Sequence, residues 1–225
     1  MRTAPKLPGK AQRGFTLIEI AIVLVIIGLL LGGVLQGQQL IENSRVKSAV
    51  NDFNGIAAAT FSYQDRYGRL PGDDPGAVAA RGESWDSDPE MVGADAGDGV
   101  LDAPAEGAFE GDGEVSYFFQ NLRAAGFIAG NPDDSGAAAL PQNPFGGLTT
   151  VVTDVTHSSL NGTKVCMGNV GGTAAIAMDT QLDDGNIDSG RFRGTVSTDP
   201  NGDPGADADE DPYSEDASYT VCYRI

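Results

Sequence analysis

Histidine, cysteine and tryptophan are nearly missing from this chain of 225 residues, with one, two and one of them respectively. A single imidazole, His157, cannot build the usual His-rich zinc centre. No Gly-x-Ser-x-Gly elbow is present to present a nucleophilic serine, so no enzymatic activity is expected. Aromatics make up only 7% of the chain while glycine reaches 31 residues, which predicts a loop-rich domain with a modest core. Trp85, within Glu83-Ser84-Trp85-Asp86, reads as a loop anchor rather than a ligand platform. Base is scarce as well: 14 Lys and Arg face 32 Asp and Glu, a formal charge of −18. Such a surface is soluble and self-repelling, and it disfavours phosphate backbones. No nucleic-acid partner is expected unless the few bases cluster.

What the chain does have is one long apolar run. From Phe15 to Leu35 Glu19 is the only charged residue. At ~1.5 Å per residue this helix would reach roughly 30 Å, the thickness of a bilayer's hydrocarbon core. An acid at that depth costs about 1–3 kcal/mol on insertion, so it needs a partner or a job. Residues 1–14 carry Arg2, Lys6, Lys10 and Arg13 and no acid, a flank that holds the first residues on the cytoplasmic side. Two plainer readings stand beside this one: an uncleaved anchor with an incidental Glu, and a secretory signal cut after Gly32-Gly33.

The order of a short basic leader, Gly14, then Phe15-Thr16-Leu17-Ile18-Glu19 and the apolar run resembles the start of type IV pilins and of the related pseudopilins of type II secretion. The likeness covers roughly the first 50 residues. It implies cleavage between Gly14 and Phe15 by a prepilin peptidase, N-methylation of the new Phe15 amine, and insertion through an inner-membrane assembly platform into a homo- or hetero-polymer with other pilins. It gives Glu19 the acidic position matched to the N-terminal amine of a neighbouring subunit. The physics agrees, because a carboxylate and an ammonium stranded in an apolar bundle are each costly alone and far less so together. Removal of the leader's four bases from 14 would leave 10 against 32 acids, a formal −22 on the mature chain.

Beyond Leu35 the pattern becomes amphipathic. Leu40, Val46, Val50, Phe53, Ala57 and Phe61 fall mostly three or four apart, with Arg45, Lys47, Asn51, Asp52 and Asn54 largely off the stripe. Tyr67-Gly68 with Pro71 after it is a helix stop. The expectation is one helix to about Tyr67, or a separate soluble helix after a bend. Gly28, Gly32, Gly33 and Gly37 allow either close helix approach or local unravelling. The chain thus divides into a leader (1–14), a transmembrane or filament-core helix (15–35), its amphipathic continuation (36–67) and an acidic globular domain (68–225).

Residues 68–113 are Gly/Asp-rich and show no periodicity. A short amphipathic helix is expected over 114–125, with Tyr117, Phe118 and Phe119 turned to the core. Strands are expected over 148–156, 163–169, 191–197 and 218–224, and a helix capped by Thr173 through Leu182. The fold class is α+β: a long N-terminal helix packed on a small C-terminal antiparallel sheet, rich in loops. An even cysteine count in an exported chain favours a Cys166–Cys222 disulfide, a placement similar to that in many pilins. Asp199, Asn201, Asp203, Asp207 and Glu210 stand at positions one, three, five, nine and twelve of a loop, the oxygen spacing of a calcium site. Pro204 occupies the place where such a loop needs Gly. Calcium and a merely solvated acidic loop both remain open readings, and no other cofactor is expected. The acids Asp95, Asp98, Asp102 and Asp112 lack comparable spacing and read as surface charge.

Three functions fit: a structural subunit, major or minor, of a type IV pilus or related filament; a secretion pseudopilin; and a tethered ligand-binding ectodomain. Glu19 behind a processable Gly14-Phe15 bond argues against the third. The elaborated 68–113 region favours a pilus, anchored in the bacterial inner membrane before assembly and in a periplasmic or surface filament afterwards.

Overall fold

The computed structural model describes residues 16–75, 97–156, 160–205 and 212–225. The chain separates into two units, Met1–Glu42 and Asn43–Ile225. Helix α1, Leu17–Tyr67, runs without a break through all four glycines of the apolar half. In the first unit its side chains are exposed on every side, Leu17 to 92% and Leu29 to 73%.

In the second unit α1 is one-sided. Val46, Ala49, Phe53, Ile56, Ala59, Thr60 and Tyr63 are buried. The expected stripe is correct at Val46 and Phe53 and is corrected at its ends: Leu40 and Phe61 are exposed. Ile56 and Tyr63, seven apart like Ala49 and Ile56, hold that face instead, the repeat of a single seam. Phe53 meets Phe192 edge-on at 6.1 Å and Tyr223 at 5.7 Å. After α1 ends, the Tyr63 hydroxyl donates to Asp74 at 2.8 Å, fixing the turn that follows.

Helix α2 spans Glu114–Ala124 and α3 spans Gly172–Leu182, with a 3-10 turn at Gly136–Ala139 between them. The strands are β1 (Thr149–Val152), β2 (Lys164–Gly171), β3 (Phe192–Val196) and β4 (Ser218–Arg224). They form one antiparallel sheet in the order β1-β2-β4-β3. β1 is shorter than its Thr/Val run because Thr153 leaves the ladder, its amide donating to Ala103 O at 2.8 Å. β2 bulges between Met167 and Val170, where Asn169 takes φ 60° and its side-chain amide donates to Phe145 O at 2.9 Å. The proposed Thr173 cap is corrected: β2 passes directly into α3 with Gly171 at the N-cap and no side-chain cap. A Cβ on Gly172 would fall 1.8 Å from Ser214 O, so backbone crowding sets this junction.

Cys166 and Cys222 sit opposite one another on β2 and β4 and are joined by a disulfide. Both are fully buried. Closing a loop of 56 residues of separation stabilises the domain by about 2–4 kcal/mol.

No helix or strand forms among the described residues 97–113, yet this stretch is tied down by side chains. Asp73, fully buried, accepts from the Gly97 and Gly99 amides. Glu114 accepts from the Asp102 amide at 2.6 Å, and the Thr150 hydroxyl donates to Ala108 O. Burial, with Asp73, Asp102 and Asp98 nearby, pushes the Glu114 carboxyl up.

Candidate functional site

The start of α1 is a closed capping motif. Thr16 precedes the first helical residue, and Glu19 lies one turn in. The Thr16 amide and hydroxyl both donate to Glu19 Oε2 at 2.7 Å, and the Glu19 amide donates back to the Thr16 hydroxyl at 3.3 Å. This is the reciprocal Thr-x-x-Glu capping box, which satisfies helix-start donors that would otherwise stay bare. It does two things for Glu19. One oxygen is satisfied inside the chain, which lowers the cost of the carboxylate among apolar side chains. The other, Oε1, accepts nothing from the described residues and stays open to a donor from outside. Thr16 was not singled out from the sequence, although Thr16-Leu17-Ile18-Glu19 has the spacing that marks the motif. The expected cleavage residues Gly14 and Phe15 lie outside the described residues.

Downstream of this cap α1 is long and apolar enough to cross a membrane, the one such helix among the described residues. Glu19 is its only charge from the start of the helix to Gln39.

Elsewhere the acids serve the fold. Asp203 accepts from the Gly107 and Ala108 amides at 2.9 and 3.1 Å, and Asn201 Oδ1 accepts from the Leu148 amide at 2.8 Å. Asp199 Oδ1 accepts from the Asn201 amide at 3.2 Å. Two of the five residues with calcium spacing thus fasten the 199–203 loop to neighbouring loops, while Asp207 and Glu210 lie outside the described residues. So do His157, Trp85 and Asp95. The carboxylates the structure gathers within 4.8 Å are different ones, Asp179, Asp183 and Asp184. Each already accepts inside the chain: Asp179 from the Gly185 amide at 3.0 Å and the Tyr213 hydroxyl at 2.9 Å, Asp183 from the Phe192 amide at 3.0 Å, and Asp184 from the Ser189 hydroxyl at 2.6 Å. Burial, with Asp184 and Asp183 alongside, raises Asp179 to about 6 against the pull of its two hydrogen bonds.

Strand register sets Lys164 beside Arg224, and Arg224 beside Arg191. Lys164 is fully buried and donates to Asp154 O and Gly162 O at 2.6 and 2.7 Å. That burial lowers its ammonium to about 8. Arg191 donates to Arg224 O and lies over the Tyr223 ring. Asp154 stands near Lys164, and Asp183 accepts from the Arg191 backbone amide, so the corner is a mixed one.

The comparisons with known proteins fall on the segment with the capped acid. Residues 9–35 match the family model described as the prokaryotic N-terminal methylation motif. This motif is the prepilin-type signal shared by type IV pilins and pseudopilins. It supports a protein of the type IV pilin-like or pseudopilin class, and implies processing by prepilin peptidase and pilin-type assembly. With the apolar helix it indicates membrane anchoring. A search of curated proteins gave no match.

Proposed function

We propose that this chain is a structural subunit of a type IV pilus or pilus-like filament. Its leader is cut between Gly14 and Phe15, the Phe15 amine is methylated, and α1 carries it from the inner membrane into the fibre. The supporting observation is the N-terminal end of α1: an apolar helix bare on every side, with one acid whose cap leaves Oε1 unfilled. In the filament that oxygen receives the charged amine of the neighbouring copy, and the pair fixes the axial register. The loops 68–75 and 97–113, held by buried acids rather than by ladders, give the domain an elaborated surface, which favours an exposed fibre over a secretion piston.

Fibres sheared from cells, imaged by electron microscopy and digested for peptide identification, test this reading. Peptides of this chain in retractable surface fibres support it. Fibres that contain the chain only when a secretion machine is overproduced would assign it to the pseudopilins instead.

A further inference from the structure

We propose that Asn161 is a modification site, a centre of spontaneous deamidation at which an aspartyl or isoaspartyl residue replaces the asparagine. The proposal stands apart from the filament reading. The chain holds three Asn-Gly pairs: Asn54-Gly55, Asn161-Gly162 and Asn201-Gly202. The backbone amide after the asparagine is the nucleophile of this reaction, and glycine leaves that amide unhindered. The three pairs share one covalent chemistry, so the fold alone separates them.

At two pairs the nucleophile is engaged. Gly55 lies within α1, whose ladder ties each interior amide to the carbonyl four residues back. The Gly202 amide donates to Asp199 O at 3.1 Å, and Asn201 Oδ1 is held by the Leu148 amide at 2.8 Å. At the third pair the nucleophile is free. Asn161 and Gly162 are exposed in the loop that enters β2, and the Gly162 amide donates to no acceptor among the described residues. Exposure alone does not decide, because Asn54 and Gly55 are exposed too. Gly162 stands at φ +91°, an angle that favours glycine and so keeps the unhindered amide in place. Lys164 Nζ donates to Gly162 O at 2.7 Å. An ammonium is thus held beside the residue whose nitrogen must give up its proton, and a nearby cation favours the resulting anion.

The reaction consumes only water. The Gly162 nitrogen loses its proton to hydroxide and attacks Asn161 Cγ. The new C–N bond closes a succinimide ring, the Cγ–Nδ2 bond breaks, and ammonia leaves with a proton from solvent. Water then opens the ring at either carbonyl, giving the aspartyl or the isoaspartyl chain. The product places a carboxylate on the loop that the Arg224 side chain crosses, where Arg224 Cδ lies 3.8 Å from the position of a Cβ on Gly162. The Arg224 guanidinium is exposed and makes no hydrogen bond or ion pair among the described residues. Conversion therefore gives this cation an acidic neighbour, and the charge at this corner of the sheet records the age of the chain.

The test uses the full-length chain purified in detergent and held in warm, mildly alkaline buffer made with heavy-oxygen water. Each carboxyl formed during the incubation then carries the label, and peptide mapping by mass spectrometry reads it at each asparagine. A second sample, reduced and denatured in urea, gives the rate of each pair without the fold. In the folded chain Asn161 should convert at close to its denatured rate. Asn54 and Asn201 should convert at least about tenfold more slowly than in urea, because their glycine amides must first leave their hydrogen bonds. The label at Asn161 should appear as both the aspartyl and the isoaspartyl peptide, which chromatography separates, and Asn161→Ser should abolish it. Folded-state conversion at Asn161 that is slowed as much as at the other two pairs would overturn the proposal. Equal conversion at all three in the folded chain would overturn it as well, since the fold would then not choose among them.

Discussion

Asp179 gives the sharpest stability prediction, because its environment opposes its charge. It is fully buried near the C-terminal end of α3, where the helix dipole is also unfavourable to an anion. Two neutral donors, the Gly185 amide and the Tyr213 hydroxyl, are its hydrogen-bond partners, and two more carboxylates stand within 4.8 Å. Its pKa rises from 3.8 to about 6. A folded-state pKa above the unfolded one favours the protonated form in the fold. That contribution is complete below about pH 3.8, declines between 3.8 and 6, and is lost above about 6. At ~1.36 kcal/mol per unit, ionisation at pH 7.5 costs the domain on the order of 2–3 kcal/mol. Asp179→Asn removes this cost and keeps the bonding, since Oδ1 can still accept from Gly185 and the amide NH₂ can donate to the Tyr213 oxygen. Thermal melts of the detergent-purified chain by near-ultraviolet circular dichroism should place the variant above the unaltered protein by about 4–8 °C at pH 7.5, with the gap closing towards pH 4.5. Comparing the two proteins at each pH cancels the titration of the other acids. A variant equally destabilised at both pH values would refute the reasoning, because it would show the ionised carboxylate to be a net stabiliser.

Other consequences are equally direct. Thr16→Val removes the hydroxyl that donates to Glu19 Oε2 and accepts from the Glu19 amide, leaving only the Thr16 backbone amide on Oε2, and should cost about 1 kcal/mol at the helix start, read as reduced incorporation into fibres with leader cleavage intact. Gly72→Ala should destabilise the domain by about 2–3 kcal/mol, because the residue sits at φ +93° and a Cβ would lie 2.6 Å from Leu101 Cδ1 and 2.9 Å from Glu114 O; a melt within 1–2 °C of the unaltered chain would contradict that contact. Replacing both Cys166 and Cys222 by Ser should lower stability by about 2–4 kcal/mol in chemical denaturation, while reductant alone should act slowly on the buried bond.

The elements that periodicity controls were legible in the sequence. The end of α1 at Tyr67 and the α2 helix follow from apolar spacing and from Gly/Pro stops, the four strands from short runs rich in Thr and Val, and the disulfide from an even cysteine count in an exported chain. The contacts that long-range hydrogen bonds control were not. Asp73 reaching Gly97 and Gly99, or Asn143 accepting from Phe145 and Gly147 while donating to Leu148 O and Gly168 O, leaves no repeat in a sequence. The α1 stripe was read one step off at Leu40 and Phe61 because both are apolar, and burial there depends on whether a partner surface lies opposite. Thr173 looked like a cap because Thr is a good one, but the close approach of Ser214 O decided the start of α3. At the candidate site Glu19 stood out as a lone charge, whereas its partner Thr16 was hidden by being an ordinary residue at an informative spacing.

Mass spectrometry of the chain recovered from cells with an active prepilin peptidase tests the central claim most directly. The account predicts a mature polypeptide that begins at Phe15 and is one methyl group heavier than its sequence. A chain that still begins at Met1, or one cut after Gly33, would contradict it.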